Sequence, residues 1–416
     1  MIRELYLDSG VKLVMEKLEH VQSVSLGFWV KTGAVDEDQF YAGISHFVEH
    51  MMFKGTDKRS AKEIAEDADK IGGNINAFTG KEATCYYIKT LDSTWKEAGE
   101  IIIDMLENSR FDQEELDKER QVICEEIKMT EDTPDELAMD TIGEIIFDGH
   151  PFGHSVIGTP ENLNRIDHKV MSDYVKATYT RDSIVIVIAG NFDEDEAIEY
   201  FNDKLLKLDE TKDPRVLEEA PFERKTKVIV KDIEQSHLCL ATRACSLYGP
   251  LYYELTLLSN IFGGSMSSRL FQSIREQKGL AYTVMSMKCS YASDGFFNIY
   301  AGVAHNKIQD AIDGIKEELL KLKDEGITEE ELEMAKVQAK ASYIFGMENV
   351  SSRMFSIGKK ELFLGHDISG EEIVQMIDAV NMDGINKAIE MVSNIDEYCA
   401  CLVTNSEIDL EEMIWK

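Results

Sequence analysis

His46-Phe-Val-Glu49-His50 is the segment of this chain with the clearest capacity for chemistry. No helix breaker lies between Ile44 and Phe53, so the segment is expected to be helical. On a helix, His46 and His50 sit four positions apart, one turn above the other on a single face. Two imidazoles so placed can grip one tetrahedral metal ion. Glu49 follows His46 by three residues, so its carboxylate reaches the same face. There it can take a proton from a water beside the metal, as a general base does in metal-assisted hydrolysis. The competing interpretation is a helix with two satisfied histidines, and a third ligand would decide between them.

A second helix supplies candidates. Asp112-Gln-Glu-Glu115 predicts a helix that runs to about Met129. Glu119 and Glu126 are seven apart on it, hence on nearly one face, with Val122 and Ile123 between them on that side. Carboxylates on a buried stripe need partners, because an unpaired buried charge is costly. A metal ion and its histidines would supply them, one Glu binding the ion and the other hydrogen-bonding a ligand histidine or standing beside the site. The alternative is a solvated acidic face, since Glu114, Glu115, Glu125 and Glu131 lie on the same helix. Glu125 is turned about 100° from Glu126 and competes only if the helix phase differs.

The elements that must position these residues follow from pattern. Val24, Leu26, Phe28 and Val30 alternate as a half-buried strand. Ser60-Ala-Lys-Glu63 is a capping box that opens a helix ending near Gly72-Gly73. Asn74–Thr79 and Ala83–Thr90 read as a hairpin around Gly80-Lys81, Trp95–Leu106 as a helix, and Ile184–Ala189 as an apolar strand. Three markers recur at an offset of roughly 215 residues: Leu18-Glu19 against Ile233-Glu234, Glu115-Leu116 against Glu331-Leu332, and Asn191 against Asn405. This predicts two domains of one topology, 1–212 and 220–416, joined near Leu208–Glu223, where charged residues and Pro214 cluster. Helices mixed with hairpin strands favour an α+β class, each domain a mostly antiparallel sheet with helices packed on it. At the repeat offset the second half carries no counterpart of the histidines, so it is expected to lack a metal site.

With these residues in place, the chain resembles the pitrilysin/insulinase family of inverted-motif (H-x-x-E-H) zinc peptidases, in the branch of mitochondrial processing peptidases and their bacterial relatives. The resemblance spans essentially the whole sequence. The family's third ligand lies about 76 residues after the second histidine, in a Glu-Arg-x-Val-Ile-x-x-Glu context that Glu119-Arg-Gln-Val-Ile-Cys-Glu-Glu126 matches. The resemblance therefore implies Glu126 as metal ligand with His46 and His50, Glu119 as the supporting carboxylate, Glu49 as the base, and one zinc ion per chain. His150-Pro-Phe-Gly and Gly158-Thr159 also resemble a family segment, of structural meaning. In Arg275-Glu-Gln-Lys-Gly-Leu-Ala-Tyr282, it implies that Arg275 holds substrate carbonyls and Tyr282 donates to the oxyanion. Read without the family, Arg275 is a surface charge and Tyr282 a packed aromatic. The preceding Phe262-Gly263-Gly264-Ser-Met-Ser-Ser268 stretch reads as a mobile turn. Asn76, Ala77 and Phe78 resemble the family's edge strand, to which an extended peptide adds by main-chain hydrogen bonds. The function implied is a zinc-dependent endopeptidase acting on peptides or unfolded segments. The competing function is a non-catalytic partner or scaffold subunit, although such members typically lose part of the metal motif that this chain keeps. A homodimer is the simplest assembly, and a heterodimer with a degenerate homologue is the alternative.

Composition narrows the partners. Of 416 residues, 44% are hydrophobic and 29% charged, which excludes disorder on the scale of the chain. Asp and Glu number 78 against 44 Lys and Arg, a formal charge of −34 that repels nucleic acid and suits basic peptides. The seven cysteines form no C-x-x-C pair and are expected to be buried free thiols of a reducing compartment. Without a signal-like apolar core or a long uncharged apolar run, the expectation is a cytoplasmic protein with no membrane partner.

Overall fold

The computed structural model describes residues 2–202, 204, 205, 208, 209, 217, 218 and 220–416. Pro214 and half of the expected linker lie outside the described residues. The chain divides into two compact units, each built on one sheet with helices packed on it, an α+β architecture.

The first unit carries a six-stranded sheet in the order β1-β2-β6-β3-β5-β4. Its strands are β1 (Ile2–Tyr6), β2 (Lys12–Lys17), β3 (Ser23–Val30), β4 (Asn74–Thr79), β5 (Thr84–Leu91) and β6 (Ile184–Gly190). All neighbours are antiparallel except β2 with β6. Helices α1 (Ile44–Met52), α2 (Ala61–Lys70), α3 (Trp95–Asn108) and α4 (Gln113–Glu131) come between its strands, and the next helix in the chain, α5 (Pro134–Ile146), belongs to the second unit. The Ser60–Glu63 capping box and the hairpin around Gly80 form as the sequence predicts.

The second unit repeats the plan with β7 (Thr226–Val230), β8 (Ser236–Arg243), β9 (Ala281–Ser290), β10 (Gly295–Val303) and β11 (Cys399–Thr404). Their order, β7-β11-β8-β10-β9, matches β2-β6-β3-β5-β4, and β7 with β11 is again the parallel pair. The repeat read from three scattered markers is thus a repeat of topology.

The units are not the linear segments 1–212 and 220–416. The first comprises Met1–Ile127, His154–Val216 and Tyr343–Ile368, and the second comprises Lys128–Gly153, Leu217–Ser342 and Ser369–Lys416. The cause is a reciprocal exchange of helices. α5 packs on β8 and β11 of the second sheet, and the Val350–Leu364 helix packs on β3 and β6 of the first. The exchange also corrects the expectation that β3 is half-buried. Val24, Leu26, Phe28 and Val30 do face the main core as predicted. The opposite face, with Trp29, Val185 and Val187, is covered by Val350, Met354 and Ile357 of the exchanged helix. Arg353 pairs with Glu16, and Lys12 with Glu361, both at 2.5 Å, fixing that helix to β2.

Within the 262–268 stretch, the expected turn forms only over residues 265–268, closed by Ser268 N donating to Ser265 O at 3.1 Å. Residues Asn260–Gly264 form a π-helical continuation of the Tyr252–Ser259 helix. A Cβ on Gly263 would lie 2.3 Å from the Ser286 amide nitrogen, so the glycine serves close packing against β9 rather than a bend. The seven cysteines are free thiols, five of them buried. No helix among the described residues is long and apolar enough to cross a membrane.

The covering helix meets the sheet at Gly358, where a Cβ would lie 2.0 Å from Trp29 Nε1. Overpacking of this kind typically costs ~1–3 kcal/mol. Gly358→Ala is expected to lower the denaturation midpoint accordingly. Gly346→Ala, where a Cβ meets nothing within 4 Å, is expected to leave it unchanged or slightly raised.

Candidate metal centre

α1 is held from both sides of its sequence pattern. Ile44, Phe47, Val48 and Met51 form a buried stripe at helical spacing, which turns His46, Glu49 and His50 to the opposite side. Gly43, at φ 96°, starts the helix in a left-handed conformation that favours glycine, and a Cβ there would lie 2.8 Å from Gly158 Cα. The resemblance of Gly158 to a family segment of structural meaning thus has a physical content. The first amides of α1 are not left bare. Glu37, only 6% exposed, accepts from Gly43 N at 2.7 Å and from Ser45 N at 2.8 Å. Burial, against these two donors, pushes its carboxyl up to about 7.

α4 buries Leu116, Glu119, Ile123 and Ile127. The stripe is narrower than the sequence suggests, because Val122 is 50% exposed. Glu126 lies at its margin, half-buried, and Glu125 is exposed. The two helices bring His46, His50 and Glu126 together, with one donor atom of each within 4.8 Å of the others. His46 Nε2 is 3.7 Å from Glu126 Oε1, and His50 Nε2 is 3.6 Å from Glu126 Oε2. These separations exceed an ordinary hydrogen bond. They approach the spacing of about 3.3 Å between ligand atoms of a tetrahedral ion with bonds near 2.0–2.1 Å. The donor set, two imidazoles and a carboxylate around a gap, therefore fits a metal such as zinc.

The surroundings favour a neutral His46 imidazole and a defined orientation for His50. Burial, then the neighbouring His50, holds the His46 imidazole down to about 4. Glu119 Oε2 lies 3.1 Å from His50 Nδ1, and its other oxygen takes the Lys54 ammonium at 2.7 Å. A His50 Nδ1–H donated to Glu119 leaves Nε2 as the bare donor facing Glu126. The His46 Nδ1 is buried without a hydrogen-bond partner among the described residues. Glu49 is half-buried beside the cluster, and the Thr79 hydroxyl donates to its Oε2. Burial raises the Glu49 carboxyl above its ordinary value, while the Thr79 bond opposes the rise.

β4 is the terminal strand of the first sheet, and among the described residues it pairs only with β5, so its outer edge carries no strand partner. Asn76 is exposed on it and Ala77 half-buried. Phe78, 38% exposed, packs edge-on against Trp29 and Phe355. Arg275 and Tyr282 belong to the second unit and meet each other there, the guanidinium 5.2 Å from the Tyr282 ring centroid and 4.7 Å from that of Phe271. Tyr282 is not a packed aromatic, being 74% exposed.

Three contributors escaped the sequence reading. Lys54 could have been found, since it follows His50 by four residues. Thr79 ends a strand that was predicted, yet nothing in the pattern pointed its hydroxyl at Glu49. Glu37 carries no sequence signal, because its partnership with α1 depends on how the intervening segment folds back.

Comparison with known proteins bears on these residues. Residues 12–160 match the family described as "Insulinase (Peptidase family M16)", and residues 165–339 match "Peptidase M16 inactive domain". The chain is 40% identical over 409 residues to the uncharacterized zinc protease YmxG of Bacillus subtilis, covering 98% of this chain and 99% of that protein. It is 35% identical over 391 residues to an uncharacterized zinc protease of Rickettsia felis, covering 94% of each. A protease from Helicobacter pylori shares the fold with a TM-score of 0.90 at 20% identity, covering 97% of this chain and 99% of that one. A peptidase M16 inactive domain from Pseudomonas fluorescens does so with 0.90 at 16% identity, covering 98% of each.

Glu37 yields a pH prediction. Its folded value lies above the ordinary 4.5, so its contribution to stability is complete below about 4.5 and is lost as pH rises through about 7. Wild type is expected to lose stability relative to Glu37→Gln across that window, by on the order of 3 kcal/mol. Denaturant titrations of both proteins with chelator present throughout will read the difference, free of proton release at metal ligands.

Proposed function

Because the chain belongs to the insulinase family, peptidase family M16, we propose that it is a zinc-dependent endopeptidase acting on peptides or unstructured segments. The observation that carries this reading is the convergence of His46, His50 and Glu126 with a fourth group, Glu49, beside them rather than among them. The names of the relatives as zinc proteases support zinc as the metal, one ion per chain. A zinc ion in that set supplies Lewis acidity that lets water attack a peptide carbonyl near neutral pH. Glu49 accepts the proton of the attacking water and returns it to the leaving amine. Glu119, itself held by Lys54, fixes the orientation of His50.

The open edge of β4 receives an extended substrate through its main chain, beside Asn76, Ala77 and Phe78. Such pairing reads backbone rather than side chains and suits varied peptides. The net charge of −34 favours those carrying Arg or Lys. Arg275 is assigned to substrate carbonyls and Tyr282 to the oxyanion. Their pairing and the exposure of Tyr282 support that role. The protein is proposed to work in the cytoplasm as a homodimer. A non-catalytic scaffold is the weaker reading. The "inactive domain" match falls on residues 165–339, beyond the His46, His50 and Glu126 cluster in the first unit, which supports the catalytic reading.

The test compares wild type, Glu49→Gln and Glu126→Ala on a mixed peptide library analysed by mass spectrometry. Glu49→Gln is expected to keep its zinc and lose roughly 10²- to 10⁴-fold in kcat. Glu126→Ala is expected to lose the zinc itself. Undiminished turnover by Glu49→Gln at equal zinc content would reject the assigned base.

A further inference from the structure

We propose that Thr79 is the positioning residue for Glu49, so that one strand both receives the substrate and sets the base. This inference rests on the peptidase reading and goes beyond it by assigning a role to a residue outside the metal-ligand set and the exposed part of the edge strand.

Thr79 is the last residue of β4, paired with Thr84 across the hairpin. Its hydroxyl donates to Glu49 Oε2. Among the described residues, no other protein group hydrogen-bonds that carboxylate, so Oε1 is left for a water or a substrate proton. The bond is fixed from both ends. The turn after Thr79 is closed by Gly80 N donating to Ala83 O at 2.8 Å. That turn is held against the segment 33–35, with Ala34 N donating to Gly80 O at 3.2 Å and Val35 N to Lys81 O at 2.9 Å. A Cβ on Gly33 would lie 2.5 Å from Gly80 O, so the two segments touch backbone to backbone. Two residues further on, Glu37 clamps the first amides of α1, the helix that carries Glu49. Hairpin and helix are therefore tied to one short segment. The Thr79 hydroxyl and the Glu49 carboxylate face each other across a closed frame rather than a chance surface approach.

A freely rotating Glu side chain samples several rotamers, and a base must be oriented to take a proton in the transition state. The Thr79 bond selects one orientation and presents the second oxygen. Because the same strand offers its outer edge to a peptide, the register of the bound peptide and the place of the base share one set of main-chain anchors. The hydroxyl takes no part in bonding to substrate, so its loss should affect turnover and spare binding.

The test uses the full-length, zinc-loaded protein and one peptide that wild type cleaves. Thr79→Val keeps the β-branched shape and the strand pairing and removes only the donor. It is expected to lower kcat roughly 10- to 100-fold, the usual size for a group that orients an active-site residue, with KM within about twofold of wild type and zinc content unchanged. Thr79→Ser, which restores the hydroxyl, is expected to recover most of the turnover. A raised KM with unchanged kcat, or wild-type kinetics in Thr79→Val, would overturn the proposal. Crystal structures of zinc-loaded wild type and Thr79→Val give a readout independent of turnover. A displaced or disordered Glu49 carboxylate in the variant supports the assignment, and an unmoved one overturns it. If wild type cleaves no peptide, the peptidase reading fails by itself, and the crystallographic comparison still decides the role of Thr79.

Discussion

A single buried carboxylate, Glu37, is the constraint on which the geometry of the centre depends. Helix α1 begins against packed protein, where its first amides have no access to bulk water. Two of these amides are taken by Glu37 from a segment whose own backbone is bonded to the turn between β4 and β5. Removing an acceptor at such a place leaves buried donors unsatisfied, which costs about 1–3 kcal/mol per group. His46, Glu49, His50 and β4 therefore share a common reference. None of them needs to be placed separately with respect to the others.

The centre also shows how buried charge is tolerated. Glu119 is nearly enclosed, and an isolated carboxylate there would be strongly disfavoured. It is compensated on one oxygen by Lys54 and on the other by His50. Glu126, by contrast, has no Lys or Arg partner at hydrogen-bonding distance among the described residues. The two imidazoles stand 3.6 and 3.7 Å away, and burial keeps His46 neutral. The two acidic residues of α4 thus differ in kind. One is satisfied by the protein, and the other is left available for a cation.

That difference marks the limit of what the sequence conveyed. The spacing of His46, Glu49 and His50 was enough to predict a shared helical face, since local geometry on a helix follows from sequence separation alone. Glu119 and Glu126 were equally eligible from helix phase, and resemblance to a family was needed to rank them. The exposed Val122 shows that the stripe on α4 was drawn too wide. The repeat of topology was legible because strand order follows from the same succession of elements in each half. The exchange of α5 and the Val350–Leu364 helix was not, because periodicity tells that a helix buries one face but not which sheet receives it. Gly263-Gly264 was read as a bend because glycine permits bends. Its actual reason, a near contact with β9, belongs to tertiary packing.

The late position of the Val350–Leu364 helix has a consequence for biosynthesis. During vectorial synthesis, every strand of the first sheet leaves the ribosome well before the helix that shields Trp29, Val185 and Val187. Until then that face of the sheet lacks Val350, Met354 and Ile357, which cover it in the finished fold, and is the kind of apolar surface that promotes aggregation. The half of the chain that bears the histidines is accordingly not an autonomous folding module. It reaches its finished form only after residues 350–364 have been made.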